Sequence, residues 1–412
     1  MNQITLPIDI ESLEIVSQSF DTQGNIVIEV KSTKNSTACH SCQKPATKRY
    51  GTAPVIQIRH LPILDTPVYL KIYPVRYQCD NCKDGPTTTE TYDWCSKGSS
   101  ITKGLEKYLM RNLIHSTVQD VSKKEKLGYK ALTSALDRQI NQRVNWDEYK
   151  DLGTIGIDEI SMKKGHKSYV TIVSSRNKQN ELSVIAVLEG RSKETVENFL
   201  QSIPSHLKKT VGAVCTDMYD GFVSAATSVF GSKVVVIDRY HVAKLYRQPL
   251  DTLRIAEMKR LKRELPSEEY VKLEGAMWAL RKNYECLVET EKESLTILYK
   301  HSPTLKQAHN YALKLTHIFN THSNRKDGLA KLERWIIAVN KSELQCFDKF
   351  IGTLEKYKPY ITNYFRKRQN SGFVEGLNNK IKVAKRRCYG FFKTESLFQR
   401  LYLDLKGYAM IA

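Results

Sequence analysis

Over the first hundred residues apolar and polar positions alternate in short runs, clearest at residues 24–30 and 68–77, which predicts strands joined by turns. Near residue 100 the period lengthens to that of a helix. Ile101, Leu105, Leu109 and Leu113 mark a first helix, and Val118 and Val121 a second. Leu127-Gly128-Tyr129 is a turn, and Leu132, Ala135, Leu136 and Ile140 mark a third helix. Two helices joined by a glycine turn are the outline of a helix-turn-helix. Strand patterns return at 154–160, 168–173 and 181–188. A helix opened by Ser192-Lys193-Glu194-Thr195 follows, then a strand at 211–217, a helix near 221–229 and a strand at 233–238. This is the element order of a ribonuclease H-like sheet, in which the first and fourth strands are neighbours. Residues 240 to about 365 read as helices throughout, with breaks near Pro266, Pro303 and Gly328. Two more helices, 372–387 and about 394–406, flank Gly390.

Two pairs of cysteines punctuate the strand-rich start, Cys39-His40-Ser41-Cys42 and Cys79-Asp80-Asn81-Cys82. Thiolates from two such tight turns close a tetrahedral zinc site in zinc ribbons, and a β-hairpin insert accounts for the long gap between the pairs. A redox dithiol or chance spacing is the competing reading. The other five cysteines are scattered, so the nine do not form a disulfide scaffold. At 412 residues the chain exceeds one simple core. The expected fold is multidomain α/β. A β-rich zinc ribbon spans 1–98, a helix-turn-helix 99–150 and the first part of a ribonuclease H-like core 151–240. An all-helical insertion at 241–365 interrupts the core, and 366–412 carry a core helix with a glutamate and a C-terminal helix.

Charge changes the picture from fold to partner. Lys and Arg total 64 against 44 Asp and Glu, a formal +20, which points to a polyanion and first of all to DNA. A membrane surface would call for a basic amphipathic anchor or a lipidation signal, and no apolar run approaches the length of a span. The expected location is therefore the cytoplasm, at the nucleoid. In the third helix of the helix-turn-helix, Lys130, Thr133, Ser134, Arg138 and Gln142 are able to reach base edges or phosphates. Three helices packed for no functional reason is the alternative.

The 372–387 segment sets one carboxylate in a field of cations. At the helical period Phe373, Leu377, Ile381 and Ala384 form an apolar stripe, opposite Glu375, Asn378, Asn379, Lys382 and Arg386. That polar face suits a metal ion beside a phosphate backbone, although a solvated basic helix with one stray acid has the same pattern. Two more acids fall on strands: Asp158 on the first of the sheet and Asp217 at the end of the fourth. Like charges about 4 Å apart repel by roughly 4 kcal/mol at an effective dielectric near 20, so three carboxylates gather only around cations. Two Mg²⁺ ions (or Mn²⁺) meet that need and suit phosphoryl transfer. Glu159 points to the other face of its strand and is a weaker ligand candidate. Cys215 reads as buried filler, and Trp335 reads as core rather than as a base-stacking platform.

Gly156-Ile157-Asp158-Glu159, Thr216-Asp217-Met218-Tyr219, residues 236–242, Glu375-Gly376-Leu377-Asn378-Asn379-Lys380-Ile381-Lys382 and residues 387–391 together resemble the DDE transposases of bacterial insertion sequences, specifically the ISL-three group. The resemblance covers nearly the whole chain. It implies binding of the element's terminal inverted repeats, metal-dependent cleavage there, and attack of the freed 3′-hydroxyl on target DNA. It also implies that Asp158, Asp217 and Glu375 ligate magnesium, that Cys39, Cys42, Cys79 and Cys82 hold zinc, and that Asn378, Asn379, Lys382 and Arg386 meet double-stranded DNA. Synapsis of two ends implies a homodimer or larger assembly. Asp238 and His241 match the family pattern as a pair that orients water or phosphate or, the reading preferred here, as a structural contact. Alternatives of another class are a metal-dependent nuclease or resolvase that cuts without joining, and an inactive zinc and helix-turn-helix regulator.

Overall fold

The computed structural model describes residues 8, 10–140, 143–162, 169–282, 284–368, 372–390 and 393–411. The chain divides into two compact units. One comprises Met1–Gln142 with Arg386–Tyr389 and Gln399–Ala412, and the other Arg143–Lys385 with Gly390–Phe398.

In the first unit Leu13–Phe20, Ile26–Ser32, Thr66–Ile72 and Ile56–Ile63 lie side by side in that order as a four-stranded sheet. Its alternating residues bury Ile28, Val30, Ile58, Val68, Leu70 and Ile72 in a small core with Trp94. The run read as one strand over 68–77 is in fact two, Thr66–Ile72 and Val75–Gln78, which belong to different sheets. The break falls at Tyr73-Pro74, because proline has no N–H to donate to a ladder. Three helices follow, Lys103–Leu113, Val118–Lys124 and Tyr129–Gln139. Thr102 caps the first by accepting from Leu105 N at 3.2 Å, and Thr117 caps the second by accepting from Asp120 N at 3.0 Å. Their apolar stripes, Leu105, Leu109, Leu113, Val121, Leu132 and Ala135, are buried against one another. The unit is completed from the far end of the sequence. In the helix Thr394–Ile411, Arg400 donates to Leu113 O at 2.6 Å, and Asp404 accepts from His115 N at 3.0 Å.

The second unit is built on a five-stranded sheet in the order Leu182–Glu189, Tyr169–Arg176, Thr154–Ser161, Ala213–Thr216, Val235–Ile237. The first three strands are antiparallel, and the last two run parallel to Thr154–Ser161. Parallel pairing needs crossovers, supplied by the helices Lys193–Ser202 and Asp220–Phe230. Ile155, Ile157, Val196, Leu200, Val214 and Phe222 form the shared core. The remainder is helical, from Arg239–Glu264 to the long Asp348–Lys367. The latter is tied to the sheet edge by Asn363, which donates to Val235 O at 2.7 Å and Ser232 O at 2.8 Å. Gly328 does not break a helix as expected. It lies inside Arg325–Asn340, where an added Cβ would stand 2.3 Å from Phe365, so glycine is there to admit that ring. No described helix is long and apolar enough to cross a membrane.

Candidate functional site

Two groups of chemically capable side chains stand out, one in each unit. In the first, Cys79 directly follows the Val75–Gln78 strand, and Cys39 follows the short strand Thr37–Ala38. The four Sγ atoms of Cys39, Cys42, Cys79 and Cys82 lie within 4.8 Å of one another. Cys42–Cys79, Cys79–Cys82 and Cys39–Cys82 are separated by 3.6, 3.8 and 3.9 Å. Tetrahedral ligation at a Zn–S distance of about 2.3 Å requires edges of about 3.8 Å, whereas a disulfide needs about 2.05 Å. The set therefore fits a zinc ion. Backbone N–H groups of Cys42 and Ser41 pull the Cys39 thiol down to about 6, while its thiol neighbours push Cys82 up to about 12. A dication among the four sulfurs would favour their thiolate forms.

In the second unit, Ile157 pairs with Thr216 across the parallel ladder, so Asp158 and Asp217 emerge at adjoining positions at one end of the sheet. Asp217 accepts from Tyr219 N at 3.1 Å, and Asp158 accepts from Glu159 N at 2.8 Å. Burial raises the Asp217 carboxyl above its ordinary range. The nearby charges of Asp158 and Glu159 add to this, and the Tyr219 N–H and His241 oppose it. The Gly372–Arg387 helix reaches these acids through a close packing. A Cβ on Gly156 would lie 2.3 Å from Val374 and 3.2 Å from Phe373, so only glycine admits this helix to the strand two residues before Asp158. One turn beyond Val374, the Asn378 amide donates to Asp158 Oδ2, while its own Oδ1 is buried without a partner.

This geometry corrects the reading of the helix. Val374, not Phe373, joins Leu377, Ile381 and Ala384 on the buried stripe, and Asn378 sits at the border facing Asp158 rather than on the open face. Glu375, Asn379, Lys382 and Arg386 are exposed. Among the described residues the four cysteines are the one set of three or more side chains placed to hold a metal ion together, and Asp158, Asp217 and Glu375 do not form such a set as they stand. Asp238 is buried and caps the Arg239–Glu264 helix, accepting from Tyr240 N at 3.1 Å. Glu159 pairs with Arg191 at 3.0 Å, whose guanidinium lies over the rings of Tyr169 and Tyr219. Cys215 is fully buried, and burial raises its thiol. Trp335 packs on Phe347 and Phe350 and donates to Tyr311 O at 2.9 Å.

Of the cations expected at DNA, Lys130 is exposed. Arg138 is not available in the same way: its Nε donates to Glu106 Oε1 at 2.8 Å, and that carboxylate is wholly buried. Its first task is to neutralise Glu106. Gln142 lies outside the described residues. Sequence reasoning missed the roles of Gly156 and Asn378, although a glycine inside a strand signals close backbone approach.

The class these acids and this sheet suggest is borne by comparison. A family model described as transposase, of the DDE kind in the ISL-three group, matches residues 155–401. The chain is similar to the transposase for insertion sequence element IS1001 of Bordetella parapertussis, 24% identical over 398 residues that cover 96% of each protein. It is also similar to the transposase for insertion sequence element IS1557 of Mycobacterium tuberculosis, 24% identical over 281 residues, 64% of this chain and 62% of that protein. The chain belongs to the ISL-three group of DDE transposases.

Proposed function

We propose that this transposase binds the terminal inverted repeats of its insertion sequence and carries out metal-dependent cleavage and strand transfer from a ribonuclease H-like core. The observation that carries the reading is the meeting of three elements. Asp158 and Asp217 share one sheet end, and the Glu375 helix is seated beside them on Gly156. The donor set is all oxygen, one carboxyl is disfavoured as a charge, and the Asn378 carbonyl oxygen is buried and unpaired. These are features that a hard divalent cation satisfies. Asp158, Asp217 and Glu375 would hold two Mg²⁺ or Mn²⁺ ions. Bound there, the ions supply activation of water or a 3′-hydroxyl and neutralisation of the leaving oxygen.

The chain's own residues do the rest. Asn378 fixes the rotamer of Asp158, so that the carboxylate is oriented before DNA arrives. Asn379, Lys382 and Arg386, exposed along one helix, grip phosphates beside the cut. The helix Tyr129–Gln139 reads the element end through Lys130 as the second helix of a helix-turn-helix, next to a zinc ribbon. The helices from Arg239 onward are the insertion. Synapsis of two ends calls for a dimer or larger assembly, working on DNA in the cytoplasm.

The test is cleavage and joining of labelled DNA carrying the element's ends, in Mg²⁺, with native protein, Asp158→Asn and Glu375→Gln. Cutting and joining by the native protein, lost in both variants while DNA binding persists, is the expected result. Cutting without joined products would assign a nuclease or resolvase instead. Binding without cutting by the native protein would assign a regulator.

A further inference from the structure

The helix Arg239–Glu264 leaves the sheet at its Asp238 cap and carries Pro249 within it, where the missing N–H loosens the helix wall. Beside that proline lies a cavity of about 850 Å³, bounded by this helix, by Leu280–Lys282 and by the helix Pro303–Asn320. Its floor is apolar, with Leu250, Leu280 and Ala312. Its remaining wall holds five cations, Lys244, Arg247, Arg254, Arg281 and Lys282, against one carboxylate, Asp251.

The ion pairs do not cancel this charge. Asp251 alone serves both Arg254 and Arg281, and Lys282 is taken by Glu291. Lys244 and Arg247, exposed and one helical turn apart, form no ion pair among the described residues. His309 adds no charge: burial lowers its pKa, Nδ1 accepts from Tyr299 at 2.6 Å, and Nε2 donates to Leu280 O at 3.0 Å. Aromatic surface completes the set. Tyr240 in the lining is 54% exposed, and Trp278, outside the lining itself but beneath the guanidinium of the lining Arg281 at 5.6 Å, is 59% exposed.

We propose that this cavity is a second nucleic-acid site, which takes an unpaired stretch of DNA strand. Phosphates sit at Lys244 and Arg247, and bases lie against Trp278, Tyr240 and the apolar floor. Unpaired cations beside exposed aromatic faces are the combination that binds single strands without reading sequence. The volume lies within the range of about 300–1,000 Å³ that encloses small molecules, which matches nucleotides of one strand rather than a duplex. The position fits as well. Asp238, the cap of this helix, donates its N–H to Thr216 O at 2.9 Å, next to Asp217, and Lys244 and Arg247 follow it by about 9 and 13.5 Å of helical rise. The cations therefore lie along the helix that starts at the acid end of the sheet. This inference rests on the transposase reading.

The test uses the full-length protein and fluorescein-labelled oligothymidine titrated over a range of salt, with blunt duplex and thymidine monophosphate as separate probes. For the double variant Lys244→Ala/Arg247→Ala, the slope of log K against log salt on oligothymidine should fall by about 1.4, two phosphates at about 0.7 each. Blunt-duplex affinity and thermal midpoint should be unchanged. Quenching of tryptophan fluorescence by oligothymidine should persist in Trp335→Phe and vanish in Trp278→Phe. An unchanged slope with unchanged quenching overturns the site. Competition by thymidine monophosphate as effective as that by the oligomer overturns the strand assignment in favour of a free nucleotide. Neither readout depends on cutting, so inactivity of the native protein on its element ends would sink the functional reading separately.

Discussion

Gly156→Ala tests how the third acid is brought to the other two. The added methyl would lie 2.3 Å from Val374 Cγ2 and 2.9 Å from Ser174 Oγ, whereas ordinary contact begins at 3.4 Å. The Gly372–Arg387 helix must therefore retreat by about 1.1 Å, or the strand must give by as much. Overpacking of this kind costs about 1–3 kcal/mol, which a unit with so extensive a core survives. The catalytic cost is larger, because a displacement near 1 Å at a reacting centre lowers rate by about 10²-fold. The assay is single-turnover cleavage of labelled element ends in Mg²⁺, with DNA affinity and zinc content measured in parallel. The expected result is a loss near 10² in rate with both of the others intact. Gly352→Ala is the control, because nothing lies within 4 Å of its Cβ position, at an exposed point of the helix Asp348–Lys367. Its activity should be native. Val374→Ala removes the clashing methyl and should restore much of the rate in the Gly156→Ala background. Native activity in Gly156→Ala, or no rescue by the second substitution, would refute the docking argument.

Three further outcomes are expected. Arg138→Ala leaves the buried Glu106 carboxylate without its cation and should destabilise the first unit by about 3 kcal/mol in thermal or denaturant unfolding, whereas Lys130→Ala should lower DNA affinity with little change in stability. Cys79→Ser should release zinc and unfold the strands around the cluster, since structural zinc contributes on the order of 10 kcal/mol to folding; stoichiometric zinc retained in that variant would reject four-cysteine ligation. Burial holds the folded-state pKa of His309 below the unfolded value of 6.5, so its contribution to stability is present above 6.5 and is lost as pH falls through the lower folded value. Thermal unfolding followed from pH 7.5 to 5.5 should show that loss, and His309→Asn should flatten it.

What the sequence made legible was whatever is written in local spacing. Leu105, Leu109, Leu113, Val121, Leu132 and Ala135, read at the helical period, do form buried stripes, and the two CxxC turns do converge. The alternation of strands and helices after residue 154 leads to the sheet order that makes Asp158 and Asp217 neighbours. What escaped depends on partners distant in the chain. Arg138 looked like a free cation because Glu106 lies 32 residues away, and Gly328 looked like a helix break because its reason is the ring of Phe365. Asn378 was assigned to the wet face, since helical periodicity gives an angle but not the neighbour that occupies it, here Asp158 across 220 residues.

The return of the last helix to the first unit has a consequence for synthesis. Arg400 and Asp404 fill the first unit from the chain's end, satisfying backbone groups at Leu113 and His115. The N-terminal segment ends at Gln142, but its missing piece begins at Gln399, so a ribosome adding roughly 5–20 residues per second takes on the order of 10–50 s to deliver it. Through that interval the nascent N-terminal segment lacks the side chains that complete it. Full assembly of the first unit thereby waits on the synthesis of the helix that carries Arg400 and Asp404, and a message cut short within the core yields a first unit without them.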